Sequence, residues 1–198
     1  MKTILLPYAF LRASLRLAAT KDIRYYLNGV LIDIHADHAR IVSTDGHRLG
    51  CFYVKPEENE ELPRKPCQII IPRDALKGLK PGRKEVYAQL AYDPEKPLAE
   101  CRIADRLFLP IDGKFPDYLR ILPNSAPSGE PAEFNAYYLA DFNDMRADVL
   151  GHTVLGNAIV YPNGNGAAPV LFQGIPEFYG AIMPMRGSGL EWKAPAWL

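Results

Sequence analysis

The segment at residues 44–50, TDGHRLG, constrains the fold more than any other stretch of the chain. Asp45-Gly46 is a strong tight-turn dipeptide, because glycine accepts a positive φ at no steric cost and aspartate can hydrogen-bond to nearby backbone amides. Apolar runs flank the dipeptide, with Ile41-Val42 before it and Cys51-Phe52-Tyr53-Val54 after it. The segment therefore predicts a strand, a tight turn and a second strand.

The residues after this turn are unusual for a hairpin tip. His47 and Arg48 put an imidazole and a guanidinium beside the apolar Leu49, which is typical of a recognition edge. Most Asp-Gly turns are only turns, and most surface histidines and arginines are solvated, so the heptapeptide alone favours a plain structural turn. An enzymatic role, with Asp45 and His47 as an acid–base pair, is weaker still, because no nucleophile or metal-ligand spacing accompanies them.

The composition is that of a folded chain with one or two domains. Its 198 residues are 48% hydrophobic and 23% charged, which excludes a disordered protein. The net charge is zero, which argues against a generally basic nucleic-acid binder but permits a local basic face. No apolar run approaches the ~20 residues of a membrane span, so no membrane role is expected. The Arg-, Ser-, Leu- and Ala-rich stretch at residues 11–20 weakly suggests a transit peptide, but it also fits a helix of the fold, which we prefer.

The cysteines give no support to a disulfide framework or a metal site. Cys51, Cys67 and Cys101 are far apart in sequence and form no C-x-x-C pair. The histidines have no ligand spacing with them. We therefore expect reduced, mostly buried thiols and neither a metal nor a cofactor.

The predicted elements repeat along the chain. Residues 1–122 contain the order β-α-β-β-β twice, with elements at 3–6, 7–19, 25–34, 39–44 and 48–54, and then at 68–71, 72–79, 85–92, 99–104 and 106–110. A loop at 124–131 leads to a third unit with a strand at 132–135, a helix at 136–147, and strands near 153–161, 168–173 and 180–184. The tetrapeptide Asn163-Gly164-Asn165-Gly166 predicts a hairpin loop between two of these strands.

Asn28-Gly29 lies inside the apolar stretch at residues 25–34 and has two interpretations. Local turn chemistry predicts a hairpin. The apolar runs on each side are too short for a good hairpin, however. We therefore predict a continuous strand in which Gly29 marks a bulge or a close backbone approach.

Four stretches, in order, resemble the bacterial sliding clamp family, the beta subunit of DNA polymerase III. They are RYYLNG at residues 24–29, TDGHRL at 44–49, IDGKFPDY at 111–118 with ILP at 121–123, and MPMR at 183–186. The resemblance implies an α+β DNA-clamp fold, in which repeated β-α-β-β-β half-domains place helices on one face of antiparallel sheets. It also implies a clamp domain at 1–122 that resembles the family's second domain, a half domain at 123–186 that resembles the end of the third, and a flexible tail at 187–198.

The resemblance further implies a pocket, between the family's second and third domains, that binds short apolar peptides of DNA polymerases and repair proteins. The family has no catalytic residues of its own there. Leucine, proline and methionine suit an adaptable apolar groove, and basic residues suit its polar rim. For Met183-Pro184-Met185, ordinary packing at a strand end is the plainer interpretation. The matching residues in this chain are Leu27, Thr44, Gly46, His47, Arg48, Leu49, Pro123, Met183, Pro184, Met185 and Arg186.

In the family the helices line a ring around double-stranded DNA, which makes several residues here candidate DNA contacts. Such contacts would be independent of base sequence and weakened by salt. For Arg12 and Arg16 a solvated helix face is the plainer interpretation. The predicted third helix is acidic, with Asp141, Asp144 and Asp148. The candidate DNA contacts are Arg12, Arg16, Lys21, Arg24, Tyr25, Arg73, Lys77 and Lys80.

The resemblance thus implies a cytoplasmic, nucleoid-associated bacterial replication protein. As a processivity factor it would form a homo-oligomeric ring on DNA and tether polymerases. The alternative is a non-encircling module that keeps the pocket and competes for clamp-binding peptides. The tail residues Leu190, Trp192, Trp197 and Leu198 predict a segment that covers the pocket or recruits a partner, with a disordered end as the alternative.

Overall fold

The computed structural model describes residues 1–57, 60, 62–83, 85–151 and 157–186. A 3-10 turn, Tyr25–Leu27, precedes the second strand. The strands and helices in chain order are β1 (Lys2–Pro7), α1 (Tyr8–Ser14), β2 (Gly29–Ile34), β3 (Ala39–Thr44), β4 (Arg48–Val54), β5 (Cys67–Pro72), α2 (Arg73–Lys77), β6 (Tyr87–Tyr92), β7 (Cys101–Ile103), β8 (Arg106–Phe108), α3 (Tyr118–Ile121), α4 (Ala136–Leu150), β9 (Ala158–Val160), β10 (Ala168–Phe172) and β11 (Ile175–Ile182).

Two antiparallel sheets organise these elements. The order of the four-stranded sheet is β1-β6-β7-β8, and the order of the seven-stranded sheet is β5-β2-β3-β4-β11-β10-β9. The first strand of each β-α-β-β-β repeat pairs with the other repeat, since β1 pairs with β6 and β5 with β2. The strand β11 pairs with β4 from Phe178 opposite Phe52 to Ile182 opposite Arg48. One sheet therefore runs from the first repeat into the third unit, and the predicted α+β class is confirmed.

Both faces of the seven-stranded sheet are covered over the strands β2 to β4. One face belongs to the main core, where Phe52 and Phe178 pack with Phe142 of α4. Alternate residues on the opposite face, such as Leu31, form a second core cluster with residues that follow β8. Every residue of β2 is buried as a result. This double burial explains why the strands appear in the sequence as continuous apolar runs.

The structure differs from the predictions at residues 25–34. The first part of this predicted strand is wrong, because Tyr25–Leu27 forms a 3-10 turn and the strand begins at Gly29. The predicted close backbone approach is confirmed, since a Cβ at Gly29 would lie 2.6 Å from the carbonyl oxygen of Ile71. Any side chain there would force β2 and β5 apart.

Two further predicted elements differ from the structure. The predicted helix at 7–19 ends at Ser14, and residues 15–17 continue as turns. The predicted strand at 132–135 is wrong, because these residues are irregular and Asn135 caps α4 by accepting a hydrogen bond from the amide of Tyr137 at 2.9 Å. The first strand of each complete repeat pairs with a partner repeat, and the described residues contain no fourth repeat that could pair with 132–135.

The remaining predictions concern the third unit and the cysteines. The loop at 163–166 joins the antiparallel strands β9 and β10, as predicted. Residues 152–156 and the tail at 187–198 lie outside the described residues.

The three cysteines are buried and unpaired, and burial raises the pKa of Cys51 to about 12. Among the described residues, no helix is long and apolar enough to cross a membrane.

Candidate functional site

The Asp45-Gly46 turn between β3 and β4 is rigidly held. The carboxylate of Asp45 accepts hydrogen bonds from the amides of His47 at 2.9 Å and Arg48 at 3.1 Å. Gly46 has a φ of +93°, which an L side chain rarely adopts. The hydroxyl of Thr44 accepts from the amide of Gly46 at 3.0 Å and donates to the carbonyl of Arg48 at 2.7 Å. The predicted strand, turn and strand are confirmed, and the turn presents its side chains in a fixed arrangement.

Arg48 is buried at the base of this turn, and only 8% of it is exposed. Its Nε lies 3.1 Å from Asp45, its Nη1 forms an ion pair with Asp141 of α4, and its guanidinium carbon lies 4.4 Å from the ring centroid of Tyr138. A buried charge is tolerated only when it is paired in this way. The exposed His47 stacks on the same tyrosine ring, with the ring centroids 5.7 Å apart. The turn is therefore joined to α4 by both of its basic side chains.

A cavity of about 310 Å³ opens beside this turn. Leu27 and Leu49 are buried members of the second core cluster and form its apolar floor. Pro116 and Ile121, from the segment after β8, line it together with Met183, which is 41% exposed. An apolar hollow of this size with a few polar groups around it is typical of sites for small apolar groups.

The cavity brings together most of the predicted pocket residues from three distant stretches of the chain. Leu27, Thr44, Gly46, His47, Arg48, Leu49 and Met183 line it. Pro123, Pro184, Met185 and Arg186 are not among its lining residues. The backbone that carries Pro184, Met185 and Arg186 is nevertheless held near the cavity, because the amide of Met183 donates to the carbonyl of His47 at 2.8 Å. The role of all these residues in binding stays a prediction.

Sequence reasoning missed five residues that line the cavity: Arg24, Tyr26, Pro116, Ile121 and Ala181. Four of them lie within the stretches that carry the family resemblance, at 24–29, 111–118 and 121–123, so the signal was present. Ala181 could be found only from strand register, because it lies opposite Leu49 in the pairing of β11 with β4.

Half of the candidate DNA contacts surround a second, shallower depression between α1, α2 and α4. It has a volume of about 480 Å³, and its lining includes Arg12, Arg16, Arg73 and Lys77. Arg73 is partly buried and donates to the carbonyls of Leu15 at 2.5 Å and Ala18 at 2.6 Å. This burial lowers the pKa of Arg73. Arg73 therefore holds the end of α1 in place.

The two arginines of the α1 region face acidic residues of α4. Arg16 donates to Asp148 at 2.5 Å and to Asp144 at 3.0 Å. Arg12 lies 3.5 Å from the Asp148 carboxylate and also donates to its carbonyl oxygen at 2.5 Å. The hydrogen bond with Asp148 raises the pKa of Arg16. The positive charge on this face is thus largely matched by aspartates of the same chain.

The other candidate DNA contacts lie outside this depression. Arg24 donates to Asp22 at 2.7 Å and to the carbonyl of Asp45 at 2.9 Å, so it belongs to the rim of the cavity beside the turn. Tyr25 is 57% exposed next to it, and Lys21 and Lys80 are exposed elsewhere. Contact with DNA stays a prediction for all eight residues.

Among the described residues, no group of three or more histidine, cysteine, aspartate or glutamate side chains could hold a metal ion.

Comparison with known proteins identifies relatives of one kind. Residues 13–117 match the family described as "DNA polymerase III beta subunit, central domain". The beta sliding clamp of Pseudomonas putida is 37% identical over an alignment of 119 residues, and the match covers 53% of this chain and 28% of that protein. The beta sliding clamp of Escherichia coli is 32% identical over an alignment of 113 residues, and the match covers 54% of this chain and 29% of that protein.

A solved structure extends the likeness of fold over most of the chain. The DNA polymerase III subunit beta from Pseudomonas aeruginosa has a TM-score of 0.65 at 20% identity, and the match covers 94% of this chain and 66% of that one. The sequence matches to the curated relatives, by contrast, cover less than a third of the length of those proteins. These matches confirm the resemblance and the predicted clamp fold. The relatives are named as clamps and not as enzymes, which agrees with the expectation of a non-catalytic protein.

Proposed function

The chain belongs to the DNA polymerase III beta subunit family, and we propose that it is a clamp-like replication protein that binds short apolar peptides of DNA polymerases and repair proteins. The observation that carries this proposal is the cavity beside the Asp45-Gly46 turn, where residues from all four family-like stretches converge. The protein itself does no chemistry. It acts in the cytoplasm by holding partners through their peptides.

The geometry of the cavity supports this role. Leu27 and Leu49 form an apolar floor that needs no rearrangement, because both are fully packed from below. Met183 is exposed and flexible, so it can adapt to different side chains. Arg24 and the exposed His47 lie at the rim and can donate hydrogen bonds to peptide carbonyls or carboxylates. A preformed cavity lowers the entropic cost of binding a flexible peptide.

A direct binding measurement tests the proposal. The probe is a fluorescein-labelled peptide from the clamp-binding tail of a bacterial DNA polymerase, and the measured quantity is its fluorescence anisotropy. Met183→Glu places a charge in the apolar cavity and is expected to weaken binding at least about tenfold. Leu107→Glu is the matched control, because Leu107 is 64% exposed on β8 and does not line the cavity. Equal affinity of the two variants, or no binding by the wild-type protein, contradicts the proposal.

In a processivity factor, several copies would close a ring around double-stranded DNA. A second candidate function is a non-encircling module that keeps the cavity and competes with full-length clamps for the same peptides. The pairing of Arg12 and Arg16 with the aspartates of α4 favours this second candidate, because these arginines are not free to bind phosphates.

Light scattering distinguishes the two candidates. A ring requires a defined oligomer that is retained on circular DNA and lost from linear DNA. A monomer that binds the peptide supports the competing module and excludes the ring.

A further inference from the structure

One wall of the cavity comes from a segment with little regular structure. The linker, residues 109–123, joins β8 to the third unit and contains only the single turn α3. Its residues Pro116 and Ile121 line the cavity. A wall of this kind is useful for recognition only if something holds it at a fixed distance from the floor.

A buried carboxylate lies beneath this linker. Asp33, on the strand β2, is 4% exposed. It accepts a hydrogen bond from the hydroxyl of Tyr118 at 2.5 Å and from the side-chain amide of Gln68 at 3.2 Å, and His35 Nε2 lies 3.1 Å from it. Burial opposes its ionisation, but these hydrogen bonds outweigh burial and lower the pKa of Asp33. Asp33 is therefore a buried carboxylate that its hydrogen-bond donors stabilise in the charged form.

Tyr118 is the donor that the linker supplies, whereas Gln68 and Arg40 come from strands next to β2. The tyrosine is 3% exposed, and its hydroxyl also accepts from Arg40 Nη1 at 3.3 Å. It lies between the two wall residues in sequence. Phe115 is buried in the same cluster, but an apolar contact tolerates sliding, whereas a hydrogen bond to a charge is sharply limited in distance and angle.

A second tyrosine fixes the far end of the linker. Tyr179, on β11, donates its hydroxyl proton to the carbonyl of Pro123 at 2.5 Å. Two side-chain hydrogen bonds thus tie the linker, to β2 through Tyr118 and to β11 through Pro123, and near its start the amide of Ile111 donates to the carbonyl of Ile70 at 2.9 Å. The two ties come from the two units that flank the cavity.

We infer that the hydrogen bond between Tyr118 and Asp33 is a latch that sets the width of the peptide pocket, with both residues acting as positioning residues that do not touch the peptide. The latch holds Pro116 and Ile121 opposite the floor in the free protein, so that binding does not have to order the linker. The inference rests on the proposed peptide-binding function and assigns the control of that pocket to a contact outside it.

The test compares two Tyr→Phe variants, each of which loses one side-chain hydroxyl group. Tyr118→Phe removes the latch. Tyr92→Phe is the matched control, because Tyr92 is fully buried in the four-stranded sheet and its hydroxyl has no hydrogen-bond partner among the described residues. Hydrogen–deuterium exchange of the free protein reports on the linker, and anisotropy with the labelled polymerase-tail peptide reports on binding.

Tyr118→Phe is expected to speed amide exchange within residues 111–123 and to lower the affinity for the peptide about tenfold. Tyr92→Phe is expected to change neither the exchange rate nor the affinity. The double variant Asp33→Asn/Tyr118→Phe removes the buried charge together with its donor, so it is expected to fold even if the single variant does not. It should show the same faster exchange in the linker and the same loss of peptide affinity.

The outcomes separate the inference from the function on which it rests. If wild-type protein binds the peptide and Tyr118→Phe binds it equally well, the latch is refuted and the proposed function stands. Faster exchange throughout the core, as opposed to the linker, also refutes the latch, because it indicates general destabilisation. If wild-type protein does not bind the peptide, the proposed function is refuted, and the role of the latch in binding falls with it.

Discussion

Neutralising two aspartates of α4 is expected to convert the adjacent face of α1 into a site for double-stranded DNA. Asp148 pairs with both Arg12 and Arg16, and Asp144 pairs with Arg16. In the variant Asp144→Asn/Asp148→Asn both arginines lose their ionic partners. Because the side chain of Arg12 is 60% exposed and that of Arg16 is 35% exposed, both can then reach phosphates.

The size of the effect follows from counterion release. Each phosphate that a protein neutralises steepens the dependence of log K on log salt by about 0.9. Two freed arginines therefore add a slope of about 1.8, which is a loss of roughly twelvefold in affinity between about 50 and about 200 mM salt. The cost in stability is small, since partly exposed ion pairs contribute about 1 kcal/mol or less each.

The assay is anisotropy of a labelled linear duplex at these two salt concentrations. The control, Asp37→Asn/Glu95→Gln, changes the net charge by the same amount at exposed positions that do not line the depression beside α1. The α4 variant is expected to bind more tightly than the control at low salt and to show the steeper slope. Equal affinities and equal slopes would show that the aspartates do not mask the arginines.

Three further predictions follow from local geometry. Gly46→Ala requires an L side chain at φ +93° and puts its Cβ 2.6 Å from an Arg24 nitrogen, so chemical denaturation should show a loss of about 1–3 kcal/mol and anisotropy a weaker peptide complex. Gly29→Ala brings its Cβ against the backbone of Ile71 and should lower the free energy of unfolding by about 1–3 kcal/mol, and an unchanged free energy of unfolding would contradict the close approach of β2 and β5. Hydrogen bonding by Arg24 lowers the pKa of Asp22 to about 2. The stabilising contribution of this pair is therefore present at neutral pH and is lost as the pH falls from about 4 to about 2. In a carboxyl NMR titration, Arg24→Ala should return the pKa of Asp22 toward 3.8, and an unchanged pKa would exclude the pair.

The sequence predicted the part of the fold where local chemistry and packing agree. The bounds of β3 and β4 match the prediction at both ends, because Asp45-Gly46 fixes the turn and apolar residues fill both strands. The end of α1 was missed because the carbonyls of Leu15 and Ala18 bond to Arg73, which is more than fifty residues away. No local pattern reports such a contact.

The candidate site also contains residues that the sequence indicates and contacts that it does not. The turn residues of the cavity carry their own signal, because an Asp-Gly turn followed by basic and apolar residues is already unusual. The resemblance groups Arg24 with the DNA contacts, and the structure shows that Asp22 and the carbonyl of Asp45 also hold it at the rim of the cavity. The partners of Arg16 lie on α4, more than 120 residues along the chain. The number of basic residues can be counted in the sequence, but their pairing with aspartates of α4 can be seen only in the structure.

Methionine methyl NMR tests the central claim most directly, because the chain has four methionines in distinct environments. Met183 lines the cavity and Met185 is exposed two residues further along the chain, whereas Met145 is fully buried in the main core and Met1 is exposed just before β1. Titration of the carbon-13 labelled protein with a polymerase-tail peptide is expected to shift the Met183 signal most and to leave Met145 and Met1 unchanged. A peptide that binds without moving the Met183 signal, or that moves all four signals alike, would contradict the assignment of this cavity as the binding site.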